Sequence, residues 1–428
     1  MRFPTVCVLT LVVSAHSAFA TDAVSYSGTI GSLPVIMELA SPNKDGVQVG
    51  RYAYLSKGVD IPLHVSKDGG DGLLKIEEEK PCTDKICKTS DDDAQTDAPI
   101  AAEWSLKIEK AGSGVSLTGS WQDKQSGKKL AVNLVSKGTR TLPDADSPFD
   151  ALDPTYSTGD SGNPSVINSK ELPYDFLKIA QPLKQGAVET IGDASYSTDE
   201  DARIGVSYPR IIKLGNVDPS PLNAYLTQQR LQFEMPAFSC LSKAYLGFGW
   251  SGTPSDGTGG YDGGGSVTVE YLTSRLIGLS EGGSLDCGGA HPDNFLNHRL
   301  ADARSGKALV PESLLRGWVA KNADGVVVDP TTASSDTSVT YGPSDELVQY
   351  VKNHREKFDN DTETECGIDD LVGTNLGVYF TPGKLVFTLQ DLPYAIFACG
   401  NDLVTIPLKD ARPLLTEAGA KYFAELDQ

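Results

Sequence analysis

Basic residues, histidine and long apolar runs are all in short supply in this chain. Against 57 Asp and Glu stand only 37 Lys and Arg, for a net charge of −20 in 428 residues. A field of that sign disfavours nucleic acid and anionic membranes as partners, and attracts a basic protein, a cationic peptide or a metal ion. Histidine occurs five times. His291 and His298 are seven residues apart, unlike a zincin pair. No Cys-x-x-Cys is present: Cys82 and Cys87 are separated by four residues with no histidine nearby, which reads as a staple across a loop and not as a redox or metal pair. The acidic stretch Asp91–Asp97 has neither the glycine nor the closing glutamate of an EF-hand. The glycine-rich run Gly257–Gly265 lacks the Gly-Lys-Ser/Thr ending of a phosphate loop. No metal and no cofactor is assigned on these grounds.

One apolar run stands out, Val6 to Val13, behind Arg2 and ahead of Ala18-Phe19-Ala20. It is too short for an ordinary transmembrane helix and fits a signal peptide, residues 1–20, cleaved before Thr21. Cys7 lies inside the run without a lipobox, so no lipid anchor is expected, and no second membrane span follows. The expected location is the periplasm or the medium. Removing Cys7 leaves six cysteines, an even number that suits an exported disulfide framework. Their order suggests Cys82–Cys87, Cys240–Cys287 and Cys366–Cys399; only the first also follows from proximity.

Residues 21–140 alternate short extended stretches with Gly/Asp turns. Trp104, Leu106 and Ile108 keep a period of two, as do Val115, Leu117 and Gly119, which predicts a small antiparallel β barrel or sandwich. Residues 141–170, rich in Asp, Ser, Pro and Gly, read as an acidic linker or mobile loop. Residues 171–428 mix strands and helices irregularly, which predicts an α+β domain with antiparallel sheet. Pro221 opens a helix whose apolar face carries Leu222, Tyr225, Leu226 and Phe233. Ser344 caps another, with Leu347, Val348, Val351 and Phe358 as its buried stripe. Val378–Phe387 reads as a hairpin, and Ala411–Phe423 as a final helix.

Gly278-Leu279-Ser280-Glu281-Gly282 matches Gly-x-Ser-x-Gly, but no helical run follows, so a hairpin turn is the better reading than a nucleophile elbow. Candidate ligand-binding residues are His291, with Asp286 near enough in sequence to orient it, and Tyr261, presented by the glycine-rich loop. The plain alternative for His291 is a turn fixed by hydrogen bonds. Trp250, Tyr261 and Tyr271 are equally ordinary core residues.

Cys287-Gly288-Gly289-Ala290-His291-Pro292, followed by Asp302-Ala303-Arg304-Ser305-Gly306-Lys307, resembles the DUF3298 family. Val378–Ala395 and Val404–Leu408 resemble its closing strands, and residues 203–233 a preceding DUF4163-like part. Tyr26–Ile30, Gly50–Tyr54 and Leu117–Trp121 resemble a small β domain of bacterial envelope proteins. The DUF3298 module occurs in the extracellular region of the anti-sigma factor RsiV, where it binds lysozyme, and in PdaC-type peptidoglycan deacetylases, where another domain does the chemistry. The resemblance implies an exported envelope recognition module. Its expected partner is a protein such as a lysozyme-like basic cell-wall hydrolase; a glycan or peptidoglycan ligand, or an uncharacterised hydrolase activity, are the alternatives.

Overall fold

The computed structural model describes residues 21–66, 73–87, 97–111, 114–155, 166–250, 260–261, 265–288, 291–329 and 339–426. The expected signal peptide, most of the acidic Asp91–Asp97 stretch and most of the Gly257–Gly265 run lie outside them. The chain is α+β, an antiparallel barrel followed by a mixed helix and sheet region.

Eight strands build the barrel: β1 (Asp22–Ile30), β2 (Leu33–Ala40), β3 (Gln48–Tyr54), β4 (Ile61–Ser66), β5 (Leu73–Glu79), β6 (Ile100–Ala111), β7 (Gly114–Asp123) and β8 (Lys129–Thr141). Each pairs antiparallel with the next, and β8 returns to β1 from Asp22↔Thr141 to Ile30↔Val132. At that seam Gly28 is obligatory, since a Cβ there would sit 1.9 Å from the Asn133 carbonyl oxygen. The alternation read in the sequence turns Met37, Tyr52, Leu63, Ile76, Trp104, Leu117 and Val132 inward, where they fill the interior. Glu78 enters with them. It accepts the indole N–H groups of Trp104 at 3.1 Å and Trp121 at 2.7 Å, and burial pushes its pKa up.

The outward positions of β2 and β3 are not all wet. Glu38 and Arg51 are buried beneath α1 (Pro173–Ile179). Arg51 donates to Glu38 at 2.9 Å, to Asp60 at 3.0 Å and to Asp175 at 2.8 Å, while its guanidinium lies 4.1 Å from the Tyr174 ring centroid. Arg140 donates to the other oxygen of Glu38 at 2.8 Å, and Lys178 to Asp60 at 2.8 Å. Burial alone would raise the Glu38 pKa, but Arg140 and Arg51 outweigh it and hold the carboxyl at about 2. For Asp175 burial prevails over Arg51 and Lys178, and its pKa rises.

Part of the expected linker is packed. Leu142, Phe149, Ala151 and Leu152 are buried with Tyr245 and Phe248, because this stretch carries enough apolar side chains among its aspartates to cover the barrel wall. Leu152 also offers its carbonyl to Arg140 at 2.7 Å.

Beyond it lie β9 (Val188–Ile191), β10 (Ala194–Asp201) and β11 (Val206–Leu214), in the order β11-β10-β9. The predicted helix is α2 (Ser220–Ser242), with Pro221 in its first turn and Leu222, Leu226 and Phe233 buried. The next sheet contains β12 (Gly260–Tyr261), β13 (Ser266–Leu272), β14 (Leu276–Asp286), β15 (Asp293–Asp302) and β16 (Lys307–Leu309). After α3 (Pro311–Leu314) and the pair β17 (Trp318–Lys321) and β18 (Thr340–Pro343) come α4 (Asp345–His354), α5 (Asn360–Cys366) and α6 (Ile368–Thr374). Ser344 caps α4 through the Leu347 amide at 3.3 Å, but Phe358 lies beyond the helix end.

The predicted hairpin is β19 (Leu376–Thr381) with β20 (Lys384–Leu389), joined by β21 (Asp402–Pro407). The expected closing helix is instead two short turns, α7 (Leu408–Ala411) and α8 (Glu417–Ala420). Pro413 lies between them, has no amide hydrogen to continue a ladder, and Leu415 is drawn into a bridge with Leu315.

The cysteines pair as Cys82–Cys87, Cys240–Cys287 and Cys366–Cys399, with Cα separations of 5.4, 4.5 and 5.7 Å. Among the described residues no helix is long and apolar enough to cross a membrane.

Two stability predictions follow from the buried charges. Arg51→Met leaves three buried carboxylates sharing two cations and should cost about 3–5 kcal/mol in denaturant unfolding; a loss below about 1 kcal/mol would contradict the network's importance. Glu234, on α2, is fully buried; it pairs with Arg230 at 2.7 Å and has one oxygen without a hydrogen bond. Burial, opposed by Arg230, raises its pKa from 4.5 to about 7. Its protonated form therefore favours folding below about pH 4.5, and that contribution disappears as pH rises through about 7. The stability of the wild type relative to Glu234→Gln should fall by up to about 3 kcal/mol across this window, read by urea unfolding at a series of pH values. A flat difference would refute it.

Candidate functional site

Strands β13, β14 and β15 pair antiparallel, with one irregularity in β13 between Val269 and Tyr271, and their side chains divide between two faces. Val267, Val269, Ile277, Leu279, Phe295 and Ala301 turn towards α2 and β11 and form one core with Tyr208 and Phe233. Glu281 lies on this inner side, accepting the Tyr208 hydroxyl at 2.6 Å and pairing with Arg299.

Among the described residues the other face is covered only at one end. There Tyr271, Leu276 and Leu300 pack with Phe380, Leu385 and Phe387 of the β19–β20 hairpin. Farther along, the rows are Thr268–Ser280–His298 and Ser266–Gly282–Leu296, with Ser284 opposite Asn294. Ser266, Thr268 and Leu296 are exposed. These rows carry hydroxyls, glycine, His298, Asn294 and one leucine.

Two histidine–tyrosine stacks accompany it. His298 lies parallel to Tyr379 at 4.2 Å, with a 5° interplanar angle, and its Nδ1 is 2.8 Å from Ser280 Oγ. Tyr379 in turn donates its hydroxyl to Asp402 at 2.9 Å. Burial, opposed by Asp402, brings the His298 pKa down to about 4, so the ring is neutral near pH 7. Burial and the carboxylates of Asp402 and Glu270 push the Tyr379 hydroxyl up.

The second stack joins His291 to Tyr394 at 4.1 Å and 5°. His291 is exposed and Tyr394 is 43% exposed. The His291 Nδ1 lies 3.0 Å from the Pro292 carbonyl, a bond that needs a hydrogen on Nδ1. The turn before Tyr394 is held by Asn375, whose side-chain amide donates to the carbonyls of Gln390 and Asp391. Two disulfides brace the pair: Cys287 ties the His291 loop to α2, and Cys399 ties the segment after Tyr394 to α5.

The other sequence candidates are placed differently. Asp286 ends β14 and accepts the Gly288 amide at 2.9 Å, closing the turn that carries Cys287. Tyr261 is not presented by a loop. It is strand β12, half-buried on the inner side, stacked on Phe233 at 5.1 Å and donating to the Phe233 carbonyl at 2.7 Å. Burial wins there because Phe233 and Phe295 offer it an aromatic slot. Trp250 and Tyr271 are buried.

Gly278, Ser280 and Gly282 lie within β14, between two paired strands, and not at a turn. No elbow lifts Ser280 above the sheet, so its bond to His298 is a cross-strand pair. Among the described residues no group of three His, Cys, Asp or Glu is placed to hold a metal ion. Tyr379, Tyr394 and Asp402 were missed in the sequence. Nothing local marks them, since each meets a partner distant in the sequence: Tyr379 meets His298 and Asp402, and Tyr394, in the turn between β20 and β21, meets His291.

Comparison with models of known protein families gives no match, and comparison with curated proteins finds no similar sequence.

In a pH titration by NMR, the His298 ring should show a midpoint near 4 and no change between pH 6 and 8. A midpoint near 6.5 would mean that the ring is not packed between Ser280 and Tyr379.

Proposed function

We propose that this protein is an exported, non-catalytic recognition module of the cell envelope that binds a basic protein, such as a lysozyme-like cell-wall hydrolase. The observation that carries this reading is the exposed His291–Tyr394 stack beside an open sheet face with Asp402 and Glu270 at its other stack. The exposed rings suit guanidinium and ammonium groups of a basic partner, which stack on them, and the carboxylates at the other stack suit its positive charge. The net charge of −20 speeds the encounter with such a partner. Support also comes from the DUF3298 resemblance, which rests on the quoted motifs around His291 and Gly306. The three disulfides are compatible with a periplasmic or secreted location.

A glycan ligand is the second reading. The hydroxyls of Ser266 and Thr268 beside stacked rings are also what a sugar face requires. Hydrolase activity finds less support, because Ser280 is held inside a strand.

Calorimetric titration of the oxidised protein with a c-type lysozyme at physiological salt should give saturable binding, micromolar or tighter. His291→Ala with Tyr394→Ala should weaken it about tenfold or more, as expected for loss of an aromatic anchor. Absence of heat, confirmed by a second method, would remove lysozyme as the ligand. Saturable binding to purified peptidoglycan under the same conditions would then favour the glycan reading.

A further inference from the structure

A cleft of about 430 Å³ lies between α2, the β10–β11 pair and the segment that leads from α1 to β9. Its charged groups are Asp199, Arg210 and Arg230. The first two satisfy each other. Asp199 Oδ2 accepts Arg210 Nε at 2.6 Å, and Oδ1 accepts the Ser197 hydroxyl at 2.7 Å and the Gly186 amide at 3.3 Å. Burial alone would raise the Asp199 pKa, but these partners outweigh it and bring the pKa below its ordinary value. Arg230 is placed differently. It is 9% exposed and donates through Nη1 to Glu234 at 2.7 Å; among the described residues its Nε and Nη2 have no partner. Burial, opposed by Arg230, raises the Glu234 pKa to about 7, so near that pH Glu234 supplies only about half a counter-charge. A buried guanidinium in this state is under-satisfied, and the cleft it lines is where a further acceptor can reach it.

Much of the remaining lining is apolar or already bonded. Leu183, Pro209 and Leu226 present hydrocarbon, and Tyr208 gives its hydroxyl to Glu281 and leaves its ring. The Asn223 side chain accepts the Ile211 amide at 2.8 Å and donates to the Ile211 carbonyl at 2.9 Å, which ties α2 to β11. Backbone bonds between Lys184 and Glu200, at 2.9 and 2.8 Å, hold the third wall against β10. A Cβ on Gly186 would meet the Thr198 carbonyl oxygen at 2.1 Å, so only glycine permits that approach. A cleft with walls held in this way loses little freedom when a ligand enters.

We infer that this cleft binds a carboxylate carried on a small apolar body, with Arg230 as its anchor. Nε and Nη2 form one edge of the guanidinium, the edge that takes a carboxylate through two parallel hydrogen bonds. With Asp199 and Arg210 cancelling, the cleft offers at most the single charge of Arg230, which suits a monoanion and not the dianion of a phosphate ester. The volume falls in the range of small-molecule sites, and Leu183, Pro209 and Leu226 cover the hydrocarbon. A free short-chain acid and the C-terminus of a peptide both supply this chemistry. The cleft shares no residue with the His291–Tyr394 stack, and the inference does not depend on the protein-recognition reading.

The test is calorimetric titration of the full oxidised chain at neutral pH and low ionic strength with hexanoate, N-acetyl-leucine and the uncharged hexanamide. Hexanoate or N-acetyl-leucine should saturate the protein, and the tighter of the two identifies the free acid or the peptide terminus as the source. Arg230→Gln/Glu234→Gln, which puts an amide pair in place of the ion pair, should weaken binding about tenfold or more through loss of the charged hydrogen bonds. Thr227→Trp should do the same by filling the cleft; Thr227 is exposed on α2, so this variant should keep its thermal stability. The inference fails if neither carboxylate saturates the protein, if hexanamide binds as well as hexanoate, or if the folded Thr227→Trp variant binds as the wild type does.

Discussion

Arg51 is the side chain on which the arrangement of the two halves depends. It leaves the outer wall of the barrel, where an arginine would ordinarily reach water, and ends among Glu38, Asp60 and Asp175 with Tyr174 over its plane. A guanidinium so deep is tolerable only because its donors and the opposing charges are matched, with Arg140 and Lys178 balancing the remaining carboxylate oxygens. Such a network specifies geometry more sharply than apolar contact does, because a small displacement leaves a buried charge unpaired. The barrel and α1 are therefore set in one relative position, and α2 joins them through the bond from the Asp60 amide to Ser242.

From that fixed point the second half is layered outward. Helix α2 and β11 cover the inner face of β13–β15, and β19–β21 cover part of the outer face. What is left uncovered is the strip that begins where the Leu300 contact with the hairpin ends. The candidate face is thus defined by where packing stops, and its tyrosines belong to the elements that stop there.

Much of this was legible in the chain. Alternation in Trp104–Ile108 and Val115–Gly119 announced a barrel or sandwich, because a wall with one dry face imposes a period of two, but did not choose between them. Pro221 and Ser344 marked two helix starts through the ordinary chemistry of first turns and caps. The cysteine order matched the pairs formed. What was not legible depends on contacts between distant segments. His291 was singled out, but its partner Tyr394 was not, and Tyr261 was assigned to a loop surface because its aromatic slot is assembled from α2 and β15. The network around Arg51 was equally silent, since nothing local marks Glu38 or Arg51 as buried and α1, distant in the sequence, covers them.

The Cys240–Cys287 bridge gives the molecule an order of maturation. It fastens the far end of α2, next to the Ser242 that holds Asp60, to the loop that carries His291. A chain with reduced thiols would lose this cross-link, and only the intervening chain, a sequence separation of 47, would connect the end of α2 to that loop. The hold on that loop is thereby tied to the redox state of the surroundings, since the link lasts only where the two thiols stay oxidised.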